Sequence, residues 1–462
     1  MRRAPYAAGH VPHPEDIVAP EWLACRSHLT RSEQKENIVR ILIVGSGGRE
    51  HALAWKLSQS PKVTQLYIAP GNGGTAALGQ NVPISDDDLP GLTSFAKDNA
   101  IDLVVIGPEL PLVLGLKEAL AQSGIPCFGP SAFAAQLEGS KAFAKSVMRD
   151  TGVPTAHFRV FDDVEAARVH VAERDMPCVV KADGLAAGKG VVVCSTREEA
   201  LEAVNDMMAK QIFGKAGERI VIEDALKGEE ASFLAFSDGT TVVCMPSSQD
   251  HKAVGEGDTG PNTGGMGAYS PAPILPHEDY EMMADLVIRP IVRHMGTVDQ
   301  PFVGILYAGI MYTEDGPKVL EYNVRFGDPE CQPLLSRLDG DLAEIMQACI
   351  DGTLADVDIR WKPETAICVV LAADGYPASY PKGMAITGLD EADAISGVKV
   401  FQAGTTLDGD TVRTAGGRVL GVTALGSDLA DAKERAYKAV DAIHFDNCYF
   451  RRDIGDKGLR RD

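Results

Sequence analysis

From residue 180 the chain reads Val180-Lys181-Ala182-Asp183-Gly184-Leu185-Ala186-Ala187-Gly188-Lys189-Gly190-Val191-Val192-Val193, and Ile220-Val221-Ile222-Glu223 follows downstream. An apolar strand ends in Lys181, a small flexible loop carries Lys189, and a second apolar strand begins at Val191. Glycine lets a backbone approach a ligand closely. Successive amides with two lysines make a cradle for polyphosphate. Lys189 is followed by Gly190, so the spacing is not the P-loop pattern, in which Lys precedes Ser or Thr. A β-hairpin with a mobile glycine tip, closing over a nucleoside triphosphate, fits better. An ordinary glycine-rich turn with two solvated lysines fits the same residues, so the choice rests on the remainder of the chain.

Upstream, residues 39–44, 66–69 and 103–106 are short apolar runs separated by helical patterns such as residues 49–58. Strands alternating with helices imply a parallel α/β sheet, and near-continuous apolar runs fit strands covered on both faces. The turn Gly45-Ser46-Gly47-Gly48 invites a dinucleotide reading, but Glu50 stands where the fingerprint needs Gly or Ala. The second strand also ends in Ala69-Pro70 without a ribose-binding acid. A phosphate at the helix N-terminus is still expected. A second glycine loop, Gly71-Asn72-Gly73-Gly74-Thr75, follows the next strand. With Arg49 opening the first helix, the two loops suggest a phosphosugar site built from Gly47, Gly48, Arg49 and Asn72. Two plain strand-to-helix turns are the alternative.

Downstream, a helix is expected from about residue 141 to 149, then a break at Thr151-Gly152-Val153-Pro154. Short strands and Glu- and Ala-rich helices up to about residue 227 have the make-up of a lid. At its exit the strand ends at Glu223, where backbone groups of Glu223 and Leu226 are free to meet the edge of a base; Glu230 could accept from ribose hydroxyls. In Lys318-Val319-Leu320-Glu321-Tyr322-Asn323-Val324-Arg325, alternation puts Glu321, Asn323 and Arg325 on one strand face. Two oxygen ligands suit Mg²⁺, which takes few protein ligands, and Arg325 suits a phosphate or carboxylate. A polar edge strand is the bland alternative. Asp250, within Ser248-Gln249-Asp250-His251-Lys252, and Asn262 and Thr263, within the loop of residues 260–267, complete a third group that offers polar groups to a small ligand. His251 reads as a structural hydrogen-bonder. From residue 365 a new module begins, with strands at 366–373, 397–401 and 418–424 and a helix at 430–443.

The bulk properties bound these readings. The 462 residues suffice for two to four domains. A net charge of -21 argues against nucleic acid as a partner. Nine cysteines without a Cys-x-x-Cys pair suggest reduced thiols in the cytoplasm. No apolar run reaches spanning length, so no membrane association is expected. Residues 1–37 mix prolines, histidines and charges without a secretory h-region; they read as a disordered extension or a mis-assigned start, with Val39 as the alternative start.

Together these residues resemble the ATP-grasp ligases, and within them the phosphoribosylamine–glycine ligase family. The resemblance runs from about residue 39 to 455 and rests on four motifs in order: Gly45-Ser46-Gly47-Gly48-Arg49-Glu50-His51, residues 181–190, residues 260–267 and residues 325–330. It implies a multidomain α/β protein. An N-terminal Rossmann-like parallel-sheet domain (38–140) precedes an ATP-grasp domain (141–362) with a lid at about 155–228, and a small C-terminal domain (363–456) follows. It implies ATP-dependent ligation of glycine to 5-phosphoribosylamine through a glycyl phosphate. Carried onto this chain, Lys141, Lys181, Gly188 and Lys189 bind the phosphates of ATP, Glu223 and Leu226 meet adenine, and Glu230 meets ribose. Glu321 and Asn323 hold Mg²⁺ (or Mn²⁺). Residues 307–311 offer no further carboxylate, so the metal should rest on two side chains. Arg325 and Lys181 would be catalytic, with Gly47, Gly48, Arg49, Asn72, Asp250, Asn262, Thr263 and Arg325 around glycine and phosphoribosylamine. A monomer is expected. The rival readings are a nicotinamide oxidoreductase, a non-catalytic nucleotide-binding regulator, and a ligase for another carboxylate–amine pair.

Overall fold

The computed structural model describes residues 39–186 and 190–461. The expectations for residues 1–37, and those for Gly188 and Lys189, lie outside them. The first sheet has five parallel strands. Val39–Gly45 is central, with Val63–Pro70 on one side and Leu103–Ile106 on the other, and the short strands Gln80–Asn81 and Cys127–Phe128 form the edges. Alternation explains the continuous apolar run. Leu42 and Val44 enter one core with Val104 and Leu116, while Ile41 and Ile43 enter another with Leu53 and Leu57. The chain runs outward in opposite directions from the central strand. A crevice therefore opens at the carboxyl ends between residue 45 and residue 107.

The lid segment has a core of its own. Four antiparallel strands stand in the order Phe158–Phe161, Ile220–Asp224, Cys178–Ala182, Val191–Cys194. Helices Val164–Glu173 and Arg197–Val204 supply Ala167, Val171, Ala200 and Val204 to pack on Val180 and Ile222. Lys181 stands opposite Val191, so the two apolar runs on either side of the glycine loop pair antiparallel, as the arms of a hairpin do.

A second antiparallel sheet carries the metal-type motif. It runs Val242–Cys244, Glu229–Asp238, Val303–Thr313, Gly316–Asn323. Phe233, Leu306 and Val319 fill one face; Leu234, Phe236 and Ile305 fill the other. The last large sheet pairs Thr365–Ala373 with Arg418–Gly426 and is backed by helix Leu429–Ala442. It also recruits Gly267–Ser270, with Gly267 opposite Val369, and through it Gln249–Asp250. The loop carrying Asp250, Asn262 and Thr263 is thus anchored on the C-terminal module.

Candidate functional site

These parts meet around one cavity of about 530 Å³. Of the residues singled out from the sequence, Arg49, Lys141, Lys181, Glu223, Leu226, Glu230, Asp250, Asn262, Thr263, Glu321, Asn323 and Arg325 line it. Gly47, Gly48 and Asn72 do not.

One end is built for a polyphosphate. The hairpin strand ends in Lys181, and Asp183 follows at once. The Asp183 carboxylate accepts from the Ala142 amide (2.6 Å), the Ser140 hydroxyl (3.0 Å) and Arg219 Nε (2.6 Å). Its backbone carbonyl accepts from the Lys141 amide (3.0 Å). Asp183 therefore bolts the hairpin to the first turn of helix Lys141–Thr151, where a carboxylate also suits the helix dipole. That helix projects Lys141 into the cavity and, one turn on, Lys145. Lys145 escaped the sequence reading, although its four-residue spacing from Lys141 was a visible signal. The Glu223 carboxylate lies between Lys145 (2.6 Å) and Lys181 (2.5 Å). Burial alone would raise its pKa, but the two ammonium groups outweigh that and hold it below the usual carboxylate range. Burial pushes Lys145 down to about 8 in spite of Glu223. The exposed-backbone reading of Glu223 needs correction. The residue sits inside the sheet, opposite Val179 on one side and Phe158 on the other. Ala225 and Leu226, just past the strand, face the cavity. Glu230 is paired with Lys252 (2.9 Å).

The next wall is the strand Gly316–Asn323. Glu321 stands opposite Gly309 and Asn323 opposite Tyr307. Burial opposes the charge on Glu321, but Lys252, Lys141, Lys181 and Arg325 together pull its pKa down to about 2. The group is therefore charged at neutral pH. Asn323 Oδ1 accepts from Arg325 Nη2 (3.1 Å). An anionic carboxylate oxygen beside an amide oxygen is a hard donor set that fits Mg²⁺ or Mn²⁺. Among the described residues no three His, Cys, Asp or Glu side chains gather as a metal cluster. Arg325 is held by Glu138 (2.6 Å) and Glu109 (3.5 Å). Burial disfavours its charge, but these acids reverse that and raise its pKa further.

At the other end, Arg49 Nε meets Glu50 (2.6 Å) and Nη1 donates to the Phe326 carbonyl (3.1 Å). The expected phosphate at this helix N-terminus has a competitor, because Glu50 accepts from the Gly47 amide (2.5 Å). A Cβ on Gly48 would sit 2.7 Å from Gln332 Nε2, so that glycine serves close packing. Asn72 is saturated within the protein: Nδ2 donates to the Ser46 and Gln402 carbonyls, and Oδ1 accepts from the Gly74 and Thr75 amides. It ties two glycine loops to the C-terminal module. Thr263 Oγ1 donates to the Lys252 carbonyl (2.8 Å) and accepts from the Gly265 amide (2.9 Å). Gly265 has φ +111, and a Cβ there would lie 2.4 Å from Pro329. Arg418, unforeseen because it comes from the C-terminal sheet, reaches Asp328 (3.2 Å) and the Gly264 carbonyl (2.6 Å). His251 is structural as read. It is fully buried, its Nδ1 bonds the Gly267 carbonyl (3.1 Å), and burial pushes its pKa down to about 4.

Not every acid of the cavity has a cation beside it. Glu109, Glu138, Glu223, Glu230, Glu321 and Asp328 each have a lysine or arginine nitrogen within 4.0 Å. Among the described residues, the two remaining acids of the lining, Asp250 and Glu330, have none. Glu330 accepts from Tyr307 Oη (2.5 Å) and Ser232 Oγ (3.1 Å). Burial, then the neighbouring Glu330 charge, drives the Asp250 pKa well above the ordinary range.

Three family models match the chain in order: the N domain of phosphoribosylglycinamide synthetase over residues 39–138, its ATP-grasp (A) domain over 139–331, and its C domain over 366–457. The phosphoribosylamine–glycine ligase of Rhodopirellula baltica is 52% identical over 427 residues, which cover 91% of this chain and 98% of that protein. The phosphoribosylamine–glycine ligase of Allochromatium vinosum is 53% identical over 427 residues, 92% of this chain and 100% of that protein. The crystal structure of phosphoribosylamine–glycine ligase from Thermotoga maritima superposes with a TM-score of 0.77 at 33% identity, covering 90% of this chain and 100% of that one. The Campylobacter jejuni biotin carboxylase in complex with β,γ-ATP shares the fold alone: TM-score 0.70, 14% identity, 92% of this chain and 95% of that one. The chain belongs to the phosphoribosylglycinamide synthetase family and is a ligase of the ATP-grasp fold, a family that works with ATP and a divalent cation.

Proposed function

We propose that the chain joins glycine to 5-phosphoribosylamine, converting ATP to ADP and phosphate and giving glycinamide ribonucleotide, a step of de novo purine synthesis. The observation that carries this reading is the charge layout of one continuous cavity. Within it Lys141 and Lys181 act on Glu321, Asn323 accepts from Arg325, the Glu330 charge acts on Arg325, and Glu330 in turn acts on Asp250, the other acid without a cation. Triphosphate, divalent cation, carboxylate and ammonium each find a complement in that set.

In this reading Leu226 and the lid exit receive adenine, Glu230 the ribose, and Lys141 and Lys181 the phosphates. Glu321 and Asn323 hold Mg²⁺, or Mn²⁺ with the same donors; when bound, the cation neutralises charge on the phosphate oxygens. Asp250 and Glu330 take the ammonium of glycine, and Arg325 steadies its carboxylate. A glycine carboxylate oxygen attacks the γ-phosphorus, the bond to the β-phosphate oxygen breaks, and ADP leaves. Lys181 and Arg325 stabilise charge on the transferring oxygens. The neutral amine of phosphoribosylamine then attacks the glycyl carbonyl. A carbon–nitrogen bond forms, the carbon–oxygen bond to phosphate breaks, and the surplus proton passes to solvent. Arg49 and the loop of Asn262 and Thr263 face this second substrate. Closure of the lid excludes water that would hydrolyse the acyl phosphate.

Glycine labelled with ¹⁸O in its carboxylate should deliver label to the released phosphate. Unlabelled phosphate would rule out the acyl phosphate. Asp250→Asn should raise the KM for glycine at least about tenfold, the scale of a lost charge-assisted contact. The KM for ATP should stay within about twofold. A parallel rise in both would remove Asp250 from the glycine end.

We also infer a cytoplasmic monomer. Eight free cysteines among the described residues suit a reducing compartment, and no described helix is long and apolar enough to cross a membrane. A dimer mass by light scattering would overturn the monomer, and an extracytoplasmic fraction the location.

A further inference from the structure

The two lysines that hold Glu223 are not equivalent. Lys145 belongs to the helix Lys141–Thr151, outside the lid sheet. Its side chain is 2% exposed, and its ammonium has a second short bond, to Thr155 Oγ1 (2.6 Å), which in turn donates to the Val319 carbonyl (2.6 Å). It thus touches the point where the chain enters the lid, the strand by which it leaves, and, through Thr155, the metal-type strand. Lys181 lies at the end of the glycine hairpin. Among the described residues, its polar partners are Glu223 and, at 3.4 Å, the outer limit of a hydrogen bond, the Leu320 carbonyl. Both lysines grip Glu223 closely, but Lys145 has a second short bond and Lys181 only a long one.

A buried carboxylate needs a cation, and removing its partner leaves an uncompensated charge. If Lys181 were the sole partner of Glu223, it would be committed to that ion pair and its charge would be spent before a nucleotide arrived. The second lysine changes the balance. With Lys145 neutralising Glu223, Lys181 can turn its ammonium toward a phosphate without stranding the acid.

We propose that Lys145 is a positioning residue of the ligase: it holds the Glu223 carboxylate so that Lys181 is available to ATP. This rests on the reading of Lys181 as a phosphate-binding lysine. Lys145 itself touches no reacting atom, and its effect passes through Glu223.

The test is a double-mutant cycle read by calorimetric binding of a non-hydrolysable ATP analogue with Mg²⁺, alongside KM and kcat. Lys145→Met should weaken analogue binding at least about tenfold, because Lys181 is then captured by Glu223. Lys145→Arg, which keeps the charge, should recover most of the affinity. Lys145→Met combined with Glu223→Gln should also recover most of it, since the acid that captures Lys181 is gone. Neutralising Glu223 would also relieve a purely structural defect, so melting temperatures are measured alongside: affinity lost in a Lys145→Met variant that remains folded at the assay temperature and regained in the double variant supports the proposal, and a double variant as weak as Lys145→Met, or an affinity loss that merely tracks unfolding, overturns it. Unchanged binding in Lys145→Met overturns it as well. If Lys145→Met does not fold, the other two variants are compared with wild type: binding within about threefold in both supports the proposal, and a double variant at least about tenfold weaker than wild type overturns it. Failure of the wild-type chain to bind the analogue would overturn the nucleotide reading itself, and this inference with it.

Discussion

Glu321→Ala is expected to lower metal-dependent turnover by about 1,000-fold or more, the scale set by losing a group that fixes charge on a transferring phosphoryl. The fold should survive. Glu321 is partly open to the cavity, and its nearest cation, Lys252, is 3.8 Å away and paired more closely with Glu230. Near-normal turnover, or an unchanged dependence on Mg²⁺, would show that the metal is held elsewhere. The same residue makes a pH prediction. Its folded pKa is depressed from 4.5 to about 2, so its contribution to stability is fully present above about 4.5 and is lost as the pH falls through about 2. Wild type and Glu321→Gln should therefore converge in stability across that window. A gap that stays constant in acid would contradict the charge environment described for Glu321.

Arg325→Met should damage both stability and turnover, for separable reasons. The guanidinium is 2.6 Å from Glu138, whose side chain is 8% exposed. Breaking a buried pair by removing one partner costs about 3–5 kcal/mol. Burial already holds the Glu138 pKa up against the pull of Arg325. Without Arg325, Glu138 will take up a proton at higher pH, which limits the loss. Turnover should fall about 100- to 1,000-fold through loss of a preorganised charge at the reacting carboxylate. Adding Glu138→Gln keeps an acceptor for the Val324 amide, which now donates to Glu138 Oε2 (2.8 Å). The double variant should regain thermal stability but not turnover. Recovery of turnover as well would reduce Arg325 to a structural partner of Glu138.

Local chemistry was legible where it depended on neighbours in sequence. The apolar runs at residues 41–44 and 103–106 announced strands covered on both faces, because every side chain there enters one core or the other. Alternation put Glu321 and Asn323 together, and the glycine stretch after Lys181 read as a hairpin. What failed depended on distant partners. Asn72 looked like a ligand contact because an asparagine in a glycine loop suits binding and loop closure equally, and its saturation comes partly from Gln402. Gly47 looked available for phosphate, but Glu50 folds back onto its amide. Arg418 and Glu138 enter the cavity from segments with no local motif. Glu330 stood inside a quoted motif without a role, since its meaning comes from Asp250 also lacking a cation. The strand Gly267–Ser270, Gly-Ala-Tyr-Ser, is too short and mixed to announce that it pairs with residues about one hundred positions away.

The most direct measurement is ADP release with Mg²⁺, ATP, glycine and freshly generated phosphoribosylamine, omitting one component at a time. The account predicts sustained ADP release only when all are present, with glycinamide ribonucleotide formed in equal amount. Sustained ADP release that ignores glycine or phosphoribosylamine would contradict it and assign the cavity to another carboxylate–amine pair.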